Sequence, residues 1–292
     1  MGDTALAEPT AAAPVRFARQ ITNWCRRTTE VVGIYRRWPI AVADRVLLRG
    51  QERIYRLSDA AGGATLVARA WADTRIINEL WIDDPYLGYL DAAPEEAVTV
   101  VDVGANRGYF CVQVGLRYPS ASIVAYEPEE ENLSLLRTNL ARNDLEGRVE
   151  VRELALVPDD RRTVQFYEAE FPGYHSTLSP EEFAARGLDA SRFTGTVHTL
   201  DAANIVAELT GIVERTGGVD LLKIDTEGTE VDLIAALPDD LLASIRCIVA
   251  EIEEDPGEEL FARLGAAGFE SVRTEFHLAL TRRGSEGNSR NT

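Results

Sequence analysis

The stretch that decides the fold is Val98-Thr99-Val100-Val101-Asp102-Val103-Gly104-Ala105-Asn106-Arg107-Gly108-Tyr109-Phe110. It has the pattern of a buried β-branched strand, an acid at the strand end, a glycine-bracketed turn and an amphipathic helix. A second stretch, Leu221-Leu222-Lys223-Ile224-Asp225-Thr226-Glu227-Gly228-Thr229-Glu230, is another apolar strand that ends in carboxylates. Because parallel strands end at one sheet edge, we expect both strand ends to lie side by side in a ligand site.

Strand and helix patterns alternate from residue 98 onward. We predict strands at 98–103, 122–127, 148–157, 163–167, 219–225 and 245–252, and helices at 108–118, 129–142, 201–215, 229–237 and 257–267. Residues 168–194 have little periodicity and are predicted to form a long loop. Strands at 270–274 and 277–282 are too close for a crossover helix, so they should pair antiparallel. The pattern predicts a Rossmann-like, doubly wound, mostly parallel seven-stranded α/β sheet with an antiparallel last strand.

Composition divides the chain into four segments. We expect disordered tails at residues 1–14 and 284–292, a helical and β-hairpin cap at 15–96, and the main domain at 97–283. The cap contains an arginine-rich helix at 15–43, strands at 53–57 and 64–70 joined by Gly62-Gly63, and a helix at 71–81 that Asp83-Asp84-Pro85 ends. We interpret the first helix as an amphipathic cover of the main domain; a homodimer contact or a substrate lid is the alternative.

The charge and cysteine content limit the partners and the compartment. A formal net charge of −18 repels phosphate backbones and anionic lipids, so we expect neither nucleic acid nor membrane as a partner. The three cysteines form no CxxC pair, which suits a reducing compartment. The chain has no signal-peptide pattern and no apolar run of the ~20 residues that a membrane helix needs, so a cytoplasmic location is expected.

The turn after the first strand is predicted to bind a cofactor. Gly104 permits a tight turn and Gly108 opens a helix, so the backbone N–H groups of Ala105 and Asn106 can face a polar ligand. A dinucleotide site is the rival interpretation, but its GxGxxG pattern is missing. Asp102 would repel a pyrophosphate and suits the ammonium group of S-adenosylmethionine, the cofactor that we predict. The alternative is that Asp102 only caps the turn.

The next two strand ends extend this predicted cofactor site. Glu127 ends the second strand and precedes Pro128, where an acid can accept both hydroxyls of a ribose. Glu153 and Ala155 end the third strand, where an adenine ring would lie. The alternative for Glu153 and Ala155 is ordinary sheet core.

The acidic stretch at 223–230 is the most specific feature. A lysine in an apolar strand is costly unless it is paired, and Lys223 and Asp225 point to the same face. Glu227, Glu230 and Glu251 add acids at the same edge. Such crowding raises pKa values or binds a cation. A magnesium ion is one alternative, but the spacing matches no standard metal motif, and no residue is assigned as a metal ligand.

These stretches together resemble the FkbM family of methyltransferases over about residues 98–251, with a looser similarity at 73–86. The similarity is carried by residues 101–110, Tyr126-Glu127-Pro128 with Asn132 and Asn139, Thr199-Leu200-Asp201, residues 220–230 and Ile248-Val249-Ala250-Glu251. It implies a class I fold, S-adenosylmethionine as cofactor and methylation of a hydroxyl on a small molecule, often a sugar or polyketide natural product. We assign Tyr86, Glu227, Glu230 and Glu251 to the substrate.

A hydroxyl acceptor must lose its proton, so a general base is expected. The candidates are Asp225, held by Lys223, and His175 in the long loop. His198 is expected to be structural, and His277 is expected to lie far from the site. Three alternatives remain open: an amine or carboxylate acceptor (including a peptide), a nicotinamide-dependent oxidoreductase, and a non-catalytic protein on the same fold.

Overall fold

The computed structural model describes residues 31–41, 51–70, 72–90, 96–170, 175–252, 255–274 and 277–282. The predicted tails, residues 15–30 and 42–43 of the predicted arginine-rich helix, and most of the helix considered for a homodimer contact lie outside the described residues. Residues 31–34 and 38–41 are helical, but the continuous helix predicted at 15–43 is wrong, because Tyr35 bridges to Leu57 and a turn follows it. The boundary at residue 97 stays a prediction. Among the described residues, no helix has both the length and the apolar character needed to span a membrane.

The elements follow in chain order. The strands are β1 (Glu52–Arg56), β2 (Thr65–Arg69), β3 (Thr99–Val103), β4 (Ser122–Tyr126), β5 (Val149–Arg152), β6 (Ala155–Val157), β7 (Thr163–Ala169), β8 (Phe193–Asn204), β9 (Val219–Ile224), β10 (Ile245–Glu251), β11 (Phe269–Arg273) and β12 (His277–Arg282). The α-helices are α1 (Ala72–Asn78), α2 (Tyr109–Arg117), α3 (Glu130–Ala141), α4 (Pro180–Ala185), α5 (Ile205–Thr216), α6 (Glu230–Ala236), α7 (Asp239–Leu242) and α8 (Gly257–Ala266).

The large sheet has seven strands in the order β11-β12-β10-β9-β3-β4-β5. Neighbouring strands from β5 to β10 are parallel, and β12 is antiparallel to both β10 and β11. The predicted doubly wound sheet with an antiparallel last strand is therefore confirmed. Since β3 and β9 are central neighbours, their carboxyl ends meet in the middle of the sheet edge, as predicted.

Successive residues of β3 pack into hydrophobic clusters on opposite faces of the sheet, which explains its unbroken apolar sequence. Val100 belongs to one cluster, and Val101 and Val103 belong to the other. The first cluster continues without a break into the N-terminal hairpin through Leu66 and into helix α1 through Ile77. The hairpin and helix α1 therefore pack directly on one face of the sheet.

The predicted N-terminal hairpin is confirmed, with β1 and β2 antiparallel and both Gly62 and Gly63 at positive φ. Two asparagines of the α3 region hold the backbone of β2. Asn139 Oδ1 accepts a hydrogen bond from the Val67 amide (2.7 Å), and Asn143 Oδ1 accepts one from the Thr65 amide (2.9 Å). These side chains satisfy backbone groups of an edge strand, which would otherwise be unpaired.

Three predictions between residues 148 and 216 are wrong. The predicted third strand is split into β5 in the large sheet and β6 in a second sheet of order β6-β8-β7. The predicted loop contains α4, whose N-cap Ser179 forms a capping box, and the start of β8. Residues 201–204 extend β8 instead of starting a helix, because they pair with β6 and β7. Helix α5 begins after Asn204, whose side chain caps it.

Helix α1 ends in a wider helical turn at Glu79–Asp83. The break predicted at Asp83-Asp84-Pro85 is confirmed, since Asp84 adopts a left-handed conformation with φ 45°. This turn places Glu79 at the carboxyl edge of the large sheet.

Candidate active site

A cavity of about 430 Å³ opens at the carboxyl edge of the large sheet. Residues at the carboxyl ends of β3, β4, β9 and β10 line it, together with helix α1 and the loop before α4. Predicted site residues in its wall are Tyr86, Gly104, Ala105, Asn106, Glu127, Pro128, Ala155, His175, Lys223, Asp225, Glu227 and Glu251. Asp102, Gly108, Glu153 and Glu230 are absent from that wall.

Two loops touch at the cavity floor. Gly104 has φ +76°, and a Cβ atom there would overlap the carbonyl oxygen of Asp225. The amides of Gly104 and Ala105 both donate to the Tyr126 carbonyl, at 3.0 and 2.9 Å. Two reasons therefore require a glycine at position 104: the positive φ of the backbone and the close approach of the Asp225 carbonyl group.

Lys223 links the ends of β3 and β9. Its ammonium group lies 3.1 Å from Asp102 Oδ1 and 3.3 Å from Asp225 Oδ2, and donates to the Gly104 carbonyl at 3.2 Å. Burial lowers the pKa of Lys223, but attraction to Asp102 and Asp225 outweighs it and leaves the pKa above its ordinary value. The predicted Lys223–Asp225 ion pair is confirmed.

Asp102 and Asp225 differ in exposure although both pair with Lys223. The Asp102 side chain is 0% exposed and also accepts from Cys111 Sγ at 3.2 Å. The Asp225 side chain is 27% exposed and lines the cavity. The Asp102 carboxylate thus lies behind Lys223 and is not among the residues that line the cavity, and its predicted contact with a ligand ammonium stays a prediction.

Glu127 is a buried carboxylate that faces the cavity. Its Oε2 accepts from the Asn106 amide (2.7 Å) and its Oε1 from the Glu129 amide (2.9 Å). Burial raises the pKa of Glu127 to about 7, although these hydrogen bonds lower it. The carboxylate is thus fixed at the tip of β4. Its protonation state changes with pH near neutrality.

The cavity wall beyond Glu127 is apolar. Leu154, Ala155, Leu156 and Phe166 line it. The Glu153 carboxylate points away: its side chain is 55% exposed and it forms an ion pair with Arg137. At this strand end the apolar neighbours of Glu153, and not its charge, face the cavity.

The opposite end of the cavity is acidic. Burial raises the pKa of Glu251, and repulsion from Asp225 and Glu79 adds to this effect. Burial also raises the pKa of Glu79, with repulsion from Asp225 as the next cause. The tyrosine ring of Tyr86 lies 5.3 Å from the ring of Phe110, and both line this end.

The prediction that His277 lies far from the site is wrong. Its ring centroid is 5.5 Å from that of Tyr86, and its Nε2 atom is 3.6 Å from Glu79 Oε1. Residue spacing did not reveal Glu79 or His277, because they reach the site from the turn after helix α1 and from the antiparallel strand β12. The available signals for Glu79 were its position before the chain break at Asp84-Pro85 and its place within residues 73–86, where the family similarity is looser.

The acids of the 226–230 loop have separate roles. The Glu230 carboxylate is buried and accepts from the amides of Thr226 (2.7 Å) and Gly228 (3.0 Å), so it shapes the loop. Burial raises the pKa of Glu230 to about 7. Glu227 has φ 60° and lies 3.4 Å from Arg192 at the cavity wall.

His175 lines the cavity on the side of Glu127. Its Nδ1 lies 3.2 Å from Glu129 Oε1, and its ring packs edge-on against Phe166 at 5.5 Å. His198 pairs with Glu168 (2.6 Å) on the exposed second sheet, consistent with its predicted structural role.

The turn at 104–108 is held by a buried ion pair that the sequence did not reveal. Arg107 pairs with Asp73 of helix α1, and both side chains are almost fully buried. Gly108 has φ +74°, and a Cβ there would lie 3.0 Å from Leu136 Cγ. The Arg107 side chain therefore points away from the cavity, toward the N-terminal cap.

Known proteins share this sequence pattern. The sequence profile described as "Methyltransferase FkbM domain" matches residues 102–282. Methyltransferase sdnD of Sordaria araneosa is 30% identical over 193 residues, which cover 60% of this chain and 74% of that protein. The 31-O-demethyl-FK506 methyltransferase FkbM of Streptomyces tacrolimicus is 27% identical over 233 residues, which cover 71% of this chain and 89% of that protein.

Among solved structures, the N-terminal domain of human METTL16 in complex with SAH is 12% identical, with a TM-score of 0.38. The alignment covers 74% of this chain and 71% of that one.

Proposed function

Since this chain belongs to the FkbM family of methyltransferases and uses S-adenosylmethionine, we propose that it methylates a hydroxyl group of a small natural product, such as a sugar or a polyketide. The relative from Streptomyces tacrolimicus is named for an acceptor whose demethylated position is an oxygen. The observation that carries the proposal is the pairing of a cavity-lining carboxylate, Asp225, with a buried lysine. Membership in this family replaces the oxidoreductase and non-catalytic alternatives.

The residues of the cavity fit the predicted cofactor. The Glu127 carboxylate faces the cavity at the tip of β4, where it would accept hydrogen bonds from the ribose hydroxyls. The apolar wall at residues 154–156 with Phe166 suits an adenine ring. Asn106 Oδ1 is buried without a hydrogen-bond partner among the described residues, so it is an acceptor that a bound ligand can satisfy.

When bound, S-adenosylmethionine supplies an electrophilic methyl group on a sulfonium. The chain then has to hold the acceptor oxygen in line with that group and remove its proton. Asp225 is suited to take the proton because its carboxylate lines the cavity and its position is fixed by Lys223. Lys223 is itself fixed by Asp102, so Asp102 and Lys223 are positioning residues.

Asp225 is favoured over His175 as the base. His175 lies with Glu129 and Phe166, on the side of the cavity proposed for the ribose and adenine. Asp225 lies instead at the acidic end with Glu251, and its partner Lys223 faces the rings of Tyr86 and Phe110 at 5.4 and 5.8 Å. That end is left for the acceptor if the cofactor occupies the wall at Glu127. His175 is then expected to contact the cofactor, and its loss should weaken cofactor binding.

The experiment is methyl transfer by the unmodified chain and by Asp225→Asn to a panel of sugars and polyketides that carry hydroxyl, amine or carboxylate groups, with titration calorimetry of S-adenosylhomocysteine alongside. We expect turnover to fall about 10²–10⁴-fold, which is the usual contribution of a general base, while the affinity for S-adenosylhomocysteine stays unchanged. Asp232→Asn is the matched control, because Asp232 pairs with Arg186 outside the cavity wall. Full turnover by Asp225→Asn would contradict the role of Asp225. A product methylated on nitrogen or on a carboxylate would contradict the hydroxyl acceptor.

A further inference from the structure

Three side chains at the acidic end of the cavity are not used by the proposed chemistry. They are Glu79, Glu251 and His277, and one ligand atom from each lies within 4.8 Å of the other two. They come from three different elements, the turn after α1 and strands β10 and β12. This convergence is a property of the fold, because the residues are far apart in the sequence.

The sheet fixes two of the three side chains. Glu251 and His277 are direct cross-strand partners in the antiparallel pair of β10 and β12. Directly opposed residues project to the same face of a sheet, with Cβ atoms about 4.5–5.5 Å apart. The Tyr86 ring packs edge-on against the His277 ring at an interplanar angle of 80° and limits its rotation. A carboxylate and an imidazole are therefore held side by side before any ligand arrives.

The imidazole nitrogen that faces Glu79 has no hydrogen bond. His277 Nε2 is buried from solvent and makes no hydrogen bond to any part of the chain that the structure describes. Glu79 Oε1 lies 3.6 Å from it, slightly beyond hydrogen-bond distance. A buried imidazole nitrogen without a partner is costly unless a ligand completes it.

The surrounding charges favour a cation. Asp225 lines the same cavity as Glu79 and Glu251, so a third carboxylate belongs to these surroundings. The cations nearby are Lys223, which is shared between Asp102 and Asp225, and Arg75 at the cavity wall. The carboxylates thus outnumber the positive charges in the described surroundings.

We propose that Glu79, Glu251 and His277 bind a divalent first-row transition metal ion, with Mn²⁺ as the probe ion. A set of two carboxylates and one imidazole suits Mn²⁺ or Zn²⁺ better than Mg²⁺ or Ca²⁺, which prefer oxygen ligands alone. The role of the ion rests on the proposed function: it coordinates the acceptor hydroxyl and makes it more acidic. The O–H proton passes to Asp225, the oxygen forms the new bond to the methyl carbon, and the sulfonium sulfur keeps the electron pair of the broken bond.

The test uses the full chain after its metal ions have been removed with EDTA. The chain is titrated with Mn²⁺, and the concentration of the free ion is measured by electron paramagnetic resonance. We expect one ion to bind per chain, and binding at least about tenfold weaker in both His277→Gln and Glu251→Gln. His198→Gln is the matched control, since it removes an exposed histidine that also pairs with a glutamate. Retained binding of S-adenosylhomocysteine by each variant shows that the cavity is intact.

Two results would overturn the metal site. One is absence of stoichiometric Mn²⁺ binding by the unmodified chain; the other is equal binding by the His277→Gln and His198→Gln variants. If the stripped protein still methylates a hydroxyl at its full rate, the role of the ion is wrong while the proposed function stands. If the ion binds as expected but no hydroxyl is methylated, the proposed function fails and the metal site stands.

Discussion

Replacing Arg107 by methionine is expected to destabilise the protein by roughly 3–5 kcal/mol, because Asp73 is left buried without its counter-ion. The Arg107 side chain is 2% exposed and that of Asp73 is 1% exposed. The Asp73 carboxylate keeps hydrogen bonds from the Tyr109 hydroxyl (2.8 Å) and the Arg69 amide (2.6 Å). These remaining partners place the expected loss near the lower end of the range.

The measurement is denaturant unfolding of the purified chain, with thermal melting as a second observable. For a chain of this size each kcal/mol moves Tm by roughly 2–4 °C, so Arg107→Met should lower Tm by about 6–12 °C. The double variant Asp73→Asn with Arg107→Met carries neither charge. It should recover part of the loss, with a coupling free energy of about 1 kcal/mol or more.

A loss below about 1 kcal/mol in Arg107→Met would refute the reasoning, because such a value is typical of an exposed ion pair. Strictly additive effects of the two substitutions would refute it as well. Either result would mean that the N-terminal cap and the turn at 104–108 are joined by the hydrophobic cluster alone.

Three further predictions concern the loops of the cavity. Gly104→Ala should abolish binding of S-adenosylhomocysteine, because its Cβ overlaps the Asp225 carbonyl, whereas Gly147→Ala has open space and should bind normally in calorimetry. Burial raises the pKa of Glu127 to about 7, and binding of a ribose needs the ionised carboxylate. The affinity for S-adenosylhomocysteine should therefore fall about tenfold from pH 8 to pH 6, and Glu127→Gln should remove that dependence. Burial raises the pKa of Glu230 to about 7 in the folded state, above the ordinary 4.5, so the folded protein holds this proton more tightly. The contribution of Glu230 to the free energy of unfolding is therefore full below pH 4.5 and falls by about 3 kcal/mol as pH rises to 7. Unfolding experiments on the Glu230→Gln variant should not show this fall.

Local pattern was sufficient where one strand and its turn determine the structure. The structure confirms three features of this kind: the apolar run forms β3, Gly104 forms the tight turn after it, and Lys223 pairs with Asp225 at the end of β9. Strand β8 is different, since residues 201–204 look like a helix start and become a strand only by pairing with β6 and β7. His277 was misplaced for the same reason, because the β10–β12 register that sets it opposite Glu251 is a long-range property.

The two buried charge pairs explain how the cavity can be rigid although loops form its wall. Lys223 joins Asp102 to Asp225 and also donates to the Gly104 carbonyl, so the loops after β3 and β9 have a common support. Arg107 continues the same turn into the N-terminal cap through Asp73. The carboxylate proposed as the base and the turn proposed for the cofactor are therefore fixed relative to each other by the chain itself. Methyl transfer depends on that distance, since an in-line displacement loses rate steeply when the reacting groups are misplaced.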